Sequence, residues 1–235
     1  DHSYPKKSIA YIKKHFSKEL KNIEKICFGF TTAAIGNKFA KNTLNRLLKY
    51  KDIDKNSYQI IIDRLRTEIE IDSEKLETFK RNISFDFPKV DVFYTDHHNS
   101  HTYCAIAASG FIDTDVLTAD GRGDFTSTLF GRFRPNEGFK ECYRSSSWES
   151  LGYFYGRITH LCGFTPNKHE GKIVGLSATG DPKKALELMR SMIDVHEGEI
   201  ISFVGDMYRP FFTNFSDNLI KEIKEKGHSI SLHFD

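Results

Sequence analysis

The sequence predicts an α/β fold, a mixed sheet with flanking helices and a helical insertion. Three observations predict it. Short apolar and β-branched runs, IEKICFGF at 23–30, VDVFY at 90–94 and GEIISFV at 198–204, have the length and composition of strands. Between them lie segments whose apolar residues recur at helical spacing, as in Leu44, Leu47 and Leu48 or Ile60, Ile61, Leu65 and Ile69. The 235 residues, 39% of them hydrophobic, are enough for a sizeable core, and no repeat, low-complexity tract or Pro-rich linker divides residues 1–235 into separate domains.

In chain order, Ile9, Ile12 and Phe16 form one stripe of a first helix, and 23–30 follows as a strand. Residues 31–82 then read as a helical insertion, with helices over Thr43 to Tyr50 and Tyr58 to Ile71. The buried strand 90–94 leads into a helix from about His98 to Ser109, stopped by Gly110. The segment DVLTADGRGDFTSTLFGRF predicts strands around a tight turn at Asp120, Gly121, Arg122 and Gly123, with a second hairpin through Pro135 to Gly138. Ser145 to Ser147 offer an N-cap for an amphipathic helix that turns Leu151, Phe154, Tyr155, Ile158 and Leu161 inward and stops at Gly163. A Gly-rich loop with one helical turn spans 165–182, Pro182 to Met192 forms a helix, and Thr213 to Lys226 closes the series with another.

Charge and composition exclude several classes. Thirty-four Lys and Arg against 32 Asp and Glu give a net charge of +2, so no overall field points to nucleic acid, and the basic run Lys13 to Lys25 reads as a solvated helix face. No apolar stretch approaches 18 residues and no leader precedes the first helix, so neither a membrane span nor a signal peptide is expected and the cytoplasm is the expected compartment. Cys27, Cys104, Cys142 and Cys162 form no CxxC pair, which argues against a disulfide framework or a zinc knuckle.

Chemistry concentrates in YTDHHNSH, Tyr94 to His101. His97 and His101, spaced i and i+4, share a helix face with Cβ atoms roughly 5 to 6 Å apart, close enough to hold one metal ion. Asp120 ends the strand VLTA at the same sheet edge and is the best third ligand; such a set suits Fe(II), Mn(II) or Zn(II) alike. The competing view is that these histidines only cap the helix. A second competing view takes Asp96, His97 and His98 as the triplet of DHH phosphoesterases, which also require an aspartate motif on an upstream strand, whereas KDIDK at 51–55 lies in helical, charged surroundings. The glycines of DGRGDFTST, Gly121 and Gly123, free backbone N–H groups to cradle an oxyanion, with Ser127 and Thr128 as hydroxyl donors, unless this is an ordinary Asp-Gly turn. In HEGKIVGLSATG, Glu170 and Lys172 stand beside a helix start where a lysine can meet a phosphoryl group, although a solvated loop explains them almost as well.

Taken in order, HHNSHTYCA, LTADGRGDFTST, SLGYFYGRITHLCGF and HEGKIVGLSATGD resemble the carbamoyltransferase family of nodulation and antibiotic O-carbamoyltransferases, whose members carry HHxSHA, DGxGE, SLGxFY and GExKxMGLA in the same series. The segment DHSYPKKSIAYIKKH is similar to the family's KHDxxFPxxAI stretch. The sequence departs at Thr102 for Ala, Asp124 for Glu and Val174 for Met, none of them a proposed ligand. The resemblance implies a Kae-like domain of the actin, sugar kinase and heat-shock ATPase superfamily, with residues 90–180 as its site core. It also implies an iron or similar divalent ion on His97, His101 and Asp120 plus a later aspartate, with Glu170 and Lys172 near ATP or carbamoyladenylate. The implied reaction moves a carbamoyl group from carbamoyl phosphate, by way of carbamoyladenylate, to the hydroxyl of a small-molecule acceptor. Because the chain opens on Asp1 and stops before the fold's second half, the expectation is a fragment, inactive alone, with self-association into a homodimer left open. A sugar-kinase-like phosphotransferase and a non-catalytic interaction module remain the other expectations.

Overall fold

Residues 25–28 and 91–94 form the parallel pair on which the candidate site is built. The computed structural model describes residues 4–30 and 55–202, with the single positions 41, 45 and 225. The expected helices at 43–50 and 213–226 lie outside the described residues. Helix α1, Lys6–His15, precedes strand β1, Lys25–Phe28, and helix α2, Lys55–Asp86, precedes β2, Asp91–Tyr94. Strands β1 and β2 pair in parallel from Lys25↔Asp91 to Phe28↔Tyr94. The apolar, β-branched runs that predicted these strands therefore sit side by side, joined by a helical crossover as parallel pairing requires.

The end of α2 anchors this pair. Phe79 meets the rings of Tyr4 and Phe28 edge-on, with centroids 5.3 and 4.3 Å away. The Tyr4 hydroxyl donates to Asp86, which also accepts from Lys13 at 2.5 Å. Pro88 follows at the point where the helix stops, four residues beyond the expected limit at 82.

Helix α3, His97–Ser109, leaves the carboxyl end of β2 and ends at Gly110, whose φ of 72° is the left-handed stop that a side chain would resist. It packs on the antiparallel sheet of β3, Thr114–Gly123, β4, Thr126–Arg134, and β5, Gly138–Ser146. Helix α4, Leu151–Leu161, packs on β3 and on α5, Glu170–Ser177; then come α6, Leu186–Met192, and the hairpin of β6, Ile193–His196, and β7, Glu199–Ser202. Among the described residues the strands fall into three hydrogen-bonded sheets rather than the single mixed sheet expected.

Five local expectations are corrected. The β3–β4 turn is Asp124–Phe125, both at positive φ (49° and 61°), and not 120–123. Backbone pairing resumes at Gly123↔Thr126, which keeps residues 120–123 within β3 as a bulge, and Phe125 is buried, which offsets the strain of its backbone. The serine cluster belongs to β5 and the single turn after it, while Ser150 caps α4 by accepting the Tyr153 N–H at 3.0 Å. Helix α4 buries Gly156, Arg157 and Thr159, leaving Leu151 half exposed, because its inner face meets a polar interior. The expected loop at 165–182 holds the eight-residue helix α5, and a 3-10 turn at Pro182–Lys184 separates off α6.

That interior is polar around β4. Leu129, Val116 and Phe125 are buried, but so are Thr118, Thr126, Ser127, Thr128, Ser145, His98 and Thr102. Such groups persist in a core only when hydrogen bonded, and most are: Ser127 Oγ lies 2.8 Å from Ser145 Oγ and donates to the Ser146 carbonyl at 2.8 Å.

Candidate metal centre

Asp96 sets the start of α3. Its Oδ1 accepts the Asn99 N–H at 2.9 Å, satisfying a helix-end donor that has no partner within the helix. His97 is thereby the first helical residue and His101 lies one turn further on the same face. Both stand at the carboxyl edge of the β1–β2 pair, where α/β folds leave a crevice.

Asp120 reaches them through a bulge. Pairing passes from Ala119↔Thr128 directly to Gly123↔Thr126, so Asp120, Gly121 and Arg122 oppose Ser127 alone. The bulge takes Asp120 out of the ladder and aims its carboxylate at α3, with Oδ1 accepting the Gly121 N–H at 2.6 Å. Behind it, a Cβ on Gly152 would fall 3.2 Å from Gly121 Cα, so the start of α4 lies directly against the bulge. Gly123 makes room for the His97 ring: a Cβ there would lie 2.0 Å from His97 Cδ2, an impossible contact.

Three ligand atoms converge. His97 Nε2 lies 2.8 Å from Asp120 Oδ2 and 3.0 Å from His101 Nε2, and His101 Nε2 lies 3.6 Å from Asp120 Oδ2. Two donors each about 2.1 Å from one ion at cis angles stand roughly 3.0 to 3.4 Å apart, and the separations of 2.8, 3.0 and 3.6 Å here bracket that range. One proton on His97 Nε2 serves either Asp120 or His101 but not both, whereas a cation would satisfy all three lone pairs. The donor set also suits an ion with open positions. Side-chain exposures of 15% for His97, 39% for Asp120 and 52% for His101 leave the outer side of the site accessible. Among the described residues these three are the one group of His, Cys, Asp or Glu side chains close enough to hold an ion. Burial would raise the Asp120 carboxyl, but hydrogen bonds from His97 and the Gly121 N–H outweigh it and hold it below the usual carboxylate range.

His98 faces the other way. Its Nε2–H donates to the Thr126 carbonyl at 3.1 Å and its Nδ1 accepts from Thr118 Oγ1 at 2.9 Å, an assignment dictated by the carbonyl being an acceptor only. Burial holds its pKa below the ordinary histidine value. It is a neutral bolt between α3 and the sheet, not a ligand.

The remaining candidates divide. Gly121 and Gly123 lie at the bulge. The Ser127 hydroxyl is buried between β4 and β5, engaged by Ser145 and Ser146. Glu170 opens α5, its Oε1 accepting the Asn167 N–H at 2.5 Å, and the Lys172 ammonium lies 5.4 Å from the Phe164 ring centroid. Two residues outside the candidate set also shape the site. Asp124 accepts the His97 backbone N–H at 2.9 Å, and Arg144 pairs with Asp96. Their partners lie 27 and 48 positions away, too far for any local pattern to reveal.

The fold and site define an α/β protein with a two-histidine, one-carboxylate cluster at a parallel strand edge. A family model described as "Carbamoyltransferase N-terminus" matches residues 1–225. The chain therefore belongs to the carbamoyltransferase family. It is similar to nodulation protein NolNO of Sinorhizobium fredii, with 25% identity over 95% of this chain and 29% of that protein. Uncharacterized proteins of Methanocaldococcus jannaschii and of Synechocystis match at 35% and 29% identity over 45% and 44% of the chain, covering 19% and 17% of their own lengths. The chain thus spans less than a third of the length of these relatives. Among the described residues no helix is long and apolar enough to cross a membrane.

Proposed function

We propose that this chain supplies the metal-binding part of an enzyme that uses carbamoyl phosphate and ATP to carbamoylate the hydroxyl of a small acceptor, by way of carbamoyladenylate. The observation that carries this reading is the convergence of His97 Nε2, His101 Nε2 and Asp120 Oδ2 within a carbamoyltransferase chain. His97, His101 and Asp120 would hold Fe(II) or a similar divalent ion. Such an ion, when bound, acts as a Lewis acid on the carbamoyl carbonyl, a contribution of several kcal/mol to charge stabilisation.

This chain's own residues prepare the site. Asp120 enters it as the anion, since its carboxyl is held below the usual range, and needs no proton removed to serve as a ligand. Gly123 admits the His97 ring, and Asp124 and Asp96 fix the first turn of α3. The start of α4 abuts the Asp120 bulge, which sets the positive end of that helix beside the Asp120 carboxylate. Glu170 and Lys172 on α5, which packs on α4, are assigned to the nucleotide side of the site. Radiolabelled carbamoyl phosphate and ATP, supplied to the complete enzyme with candidate polyol or sugar acceptors, should give a labelled carbamate ester that Asp120→Ala reduces at least a hundredfold. Full turnover by that variant would sink the assignment, and ATP-dependent phosphorylation without carbamoyl phosphate would favour a sugar-kinase-like reaction instead.

A further inference from the structure

Arg144 lies on β5, outside the His97, His101 and Asp120 cluster, yet its side chain is largely buried, with 12% exposed. A buried guanidinium needs a partner for each of its five N–H donors. It has them. Nε and Nη2 donate to the two oxygens of Glu141 at 3.1 and 2.9 Å, Nη1 and Nη2 donate to Oδ2 and Oδ1 of Asp96 at 3.1 and 3.4 Å, and Nη1 also donates to Thr126 Oγ1 at 3.0 Å.

Two of these acceptors belong to the apparatus that aims the histidines. Asp96 is the N-cap of α3 and the residue before His97. Thr126 accepts the His98 ring through its carbonyl while taking the Arg144 N–H on its hydroxyl. Asp120, by contrast, comes from β3. The His97–Asp120 distance is therefore set by how α3 docks on the β3–β4–β5 sheet, and a guanidinium rooted in β5 grips the docked end by a planar, two-pronged contact.

We propose that Arg144 is a positioning residue of the metal centre: by clamping the Asp96 cap to β5 it holds His97 and His101 at the distance from Asp120 that one divalent cation requires. This rests on the reading of His97, His101 and Asp120 as a metal site. Nothing local in the sequence links the two, since 48 positions separate Arg144 from Asp96.

The probe is Co(II), titrated into the full chain and read by its visible d–d absorption, with far-UV circular dichroism and thermal melts alongside. Arg144→Gln should weaken Co(II) binding roughly tenfold to a hundredfold and alter the band shape, with Arg144→Lys in between because an ammonium cannot grip both oxygens in plane. Asp96→Ser keeps a helix cap but loses the bidentate grip, and should weaken binding to the same degree even where Arg144→Gln folds poorly. The Asp96→Ser, Arg144→Gln double variant should be no weaker than the single ones, since both remove the same contact. Wild-type affinity and band shape in Arg144→Gln and Asp96→Ser, whatever the loss of melting temperature, would overturn the positioning role alone. A wild-type chain that gives no Co(II) spectrum would overturn the metal reading and the inference with it.

Discussion

His97 and His101 hold their Nε2 atoms 3.0 Å apart across one turn of α3, although nothing but a proton or a cation lets two ring nitrogens approach so closely. The two rings have different duties. His97 packs against Gly123 and Phe30, its ring centroid 4.9 Å from that of Phe30, while His101 is half exposed. His101→Ala should therefore change stability without metal by no more than about 0.5 kcal/mol. It should also abolish the rise in melting temperature that a saturating divalent ion gives the wild type, a gain of about 2.7 kcal/mol at a hundredfold excess over Kd. Differential scanning calorimetry with and without Mn(II) makes the comparison, and an undiminished shift in the variant would remove His101 from the ligand set.

Gly123→Ala tests the cradle under His97. The added methyl would occupy the space of the imidazole, 2.0 Å from Cδ2, so the ring must swing away. The expected cost is about 1 to 3 kcal/mol of stability from overpacking, together with loss of metal binding, read by denaturant melts and metal titration. Wild-type affinity in this variant would mean that His97 takes another position when a metal binds.

Thr102 carries a buried hydroxyl with no hydrogen-bond partner among the described residues. Thr102→Val keeps the shape and removes the unpaired group, so it should raise stability by about 1 kcal/mol, a few degrees in Tm. The residue lies next to His101 but faces the sheet, and the variant should bind metal as the wild type does. A drop in Tm would indicate that water reaches the hydroxyl.

His98 gives the fold an acid sensitivity. Its folded pKa lies below the unfolded value of 6.5, so the unfolded chain takes up the proton first. The stability contributed by neutral His98 is complete above pH 6.5 and is lost as the pH falls from there through the folded pKa. Urea melts between pH 7 and 5 should show stability falling as the pH drops, with a slope of at most one proton, about 1.4 kcal/mol per pH unit. The His98→Gln variant, which keeps a donor for the Thr126 carbonyl, should flatten that slope; an unchanged slope would place the titration elsewhere.

Much of the fold was legible because short-range rules decided it. The apolar runs at 26–28 and 91–94 are strands, and the helix after the second starts at His97, within one residue of its expected start at about His98. The HxxxH spacing on a helix that follows a strand pointed to one face and one edge, and Asp120 to the facing strand. What sequence reasoning misplaced depended on pairing across strands. Asp-Gly-Arg-Gly has turn chemistry, yet the ladder holds it as a bulge and forces Asp124 and Phe125 into the turn, at a positive φ neither favours. The inner face of α4 was misjudged because its neighbours are hydroxyls and charges, which make Arg157 and Thr159 the buried side. Gly171 and Gly175 disguised α5 as a loop. Arg144 left no trace at all, for its meaning lies only in the cap it holds.

The proposed site holds a single divalent ion on His97, His101 and Asp120. Chain purified without chelators and reconstituted anaerobically with Fe(II), then desalted and analysed by inductively coupled plasma mass spectrometry, measures this most directly. Wild-type chain should hold about one equivalent of iron, by the one-ion geometry of such a site, and His97→Ala, His101→Ala or Asp120→Ala proteins that retain their helical spectra should hold none. A wild-type chain that takes up no iron, or variants that keep a full equivalent, would contradict it.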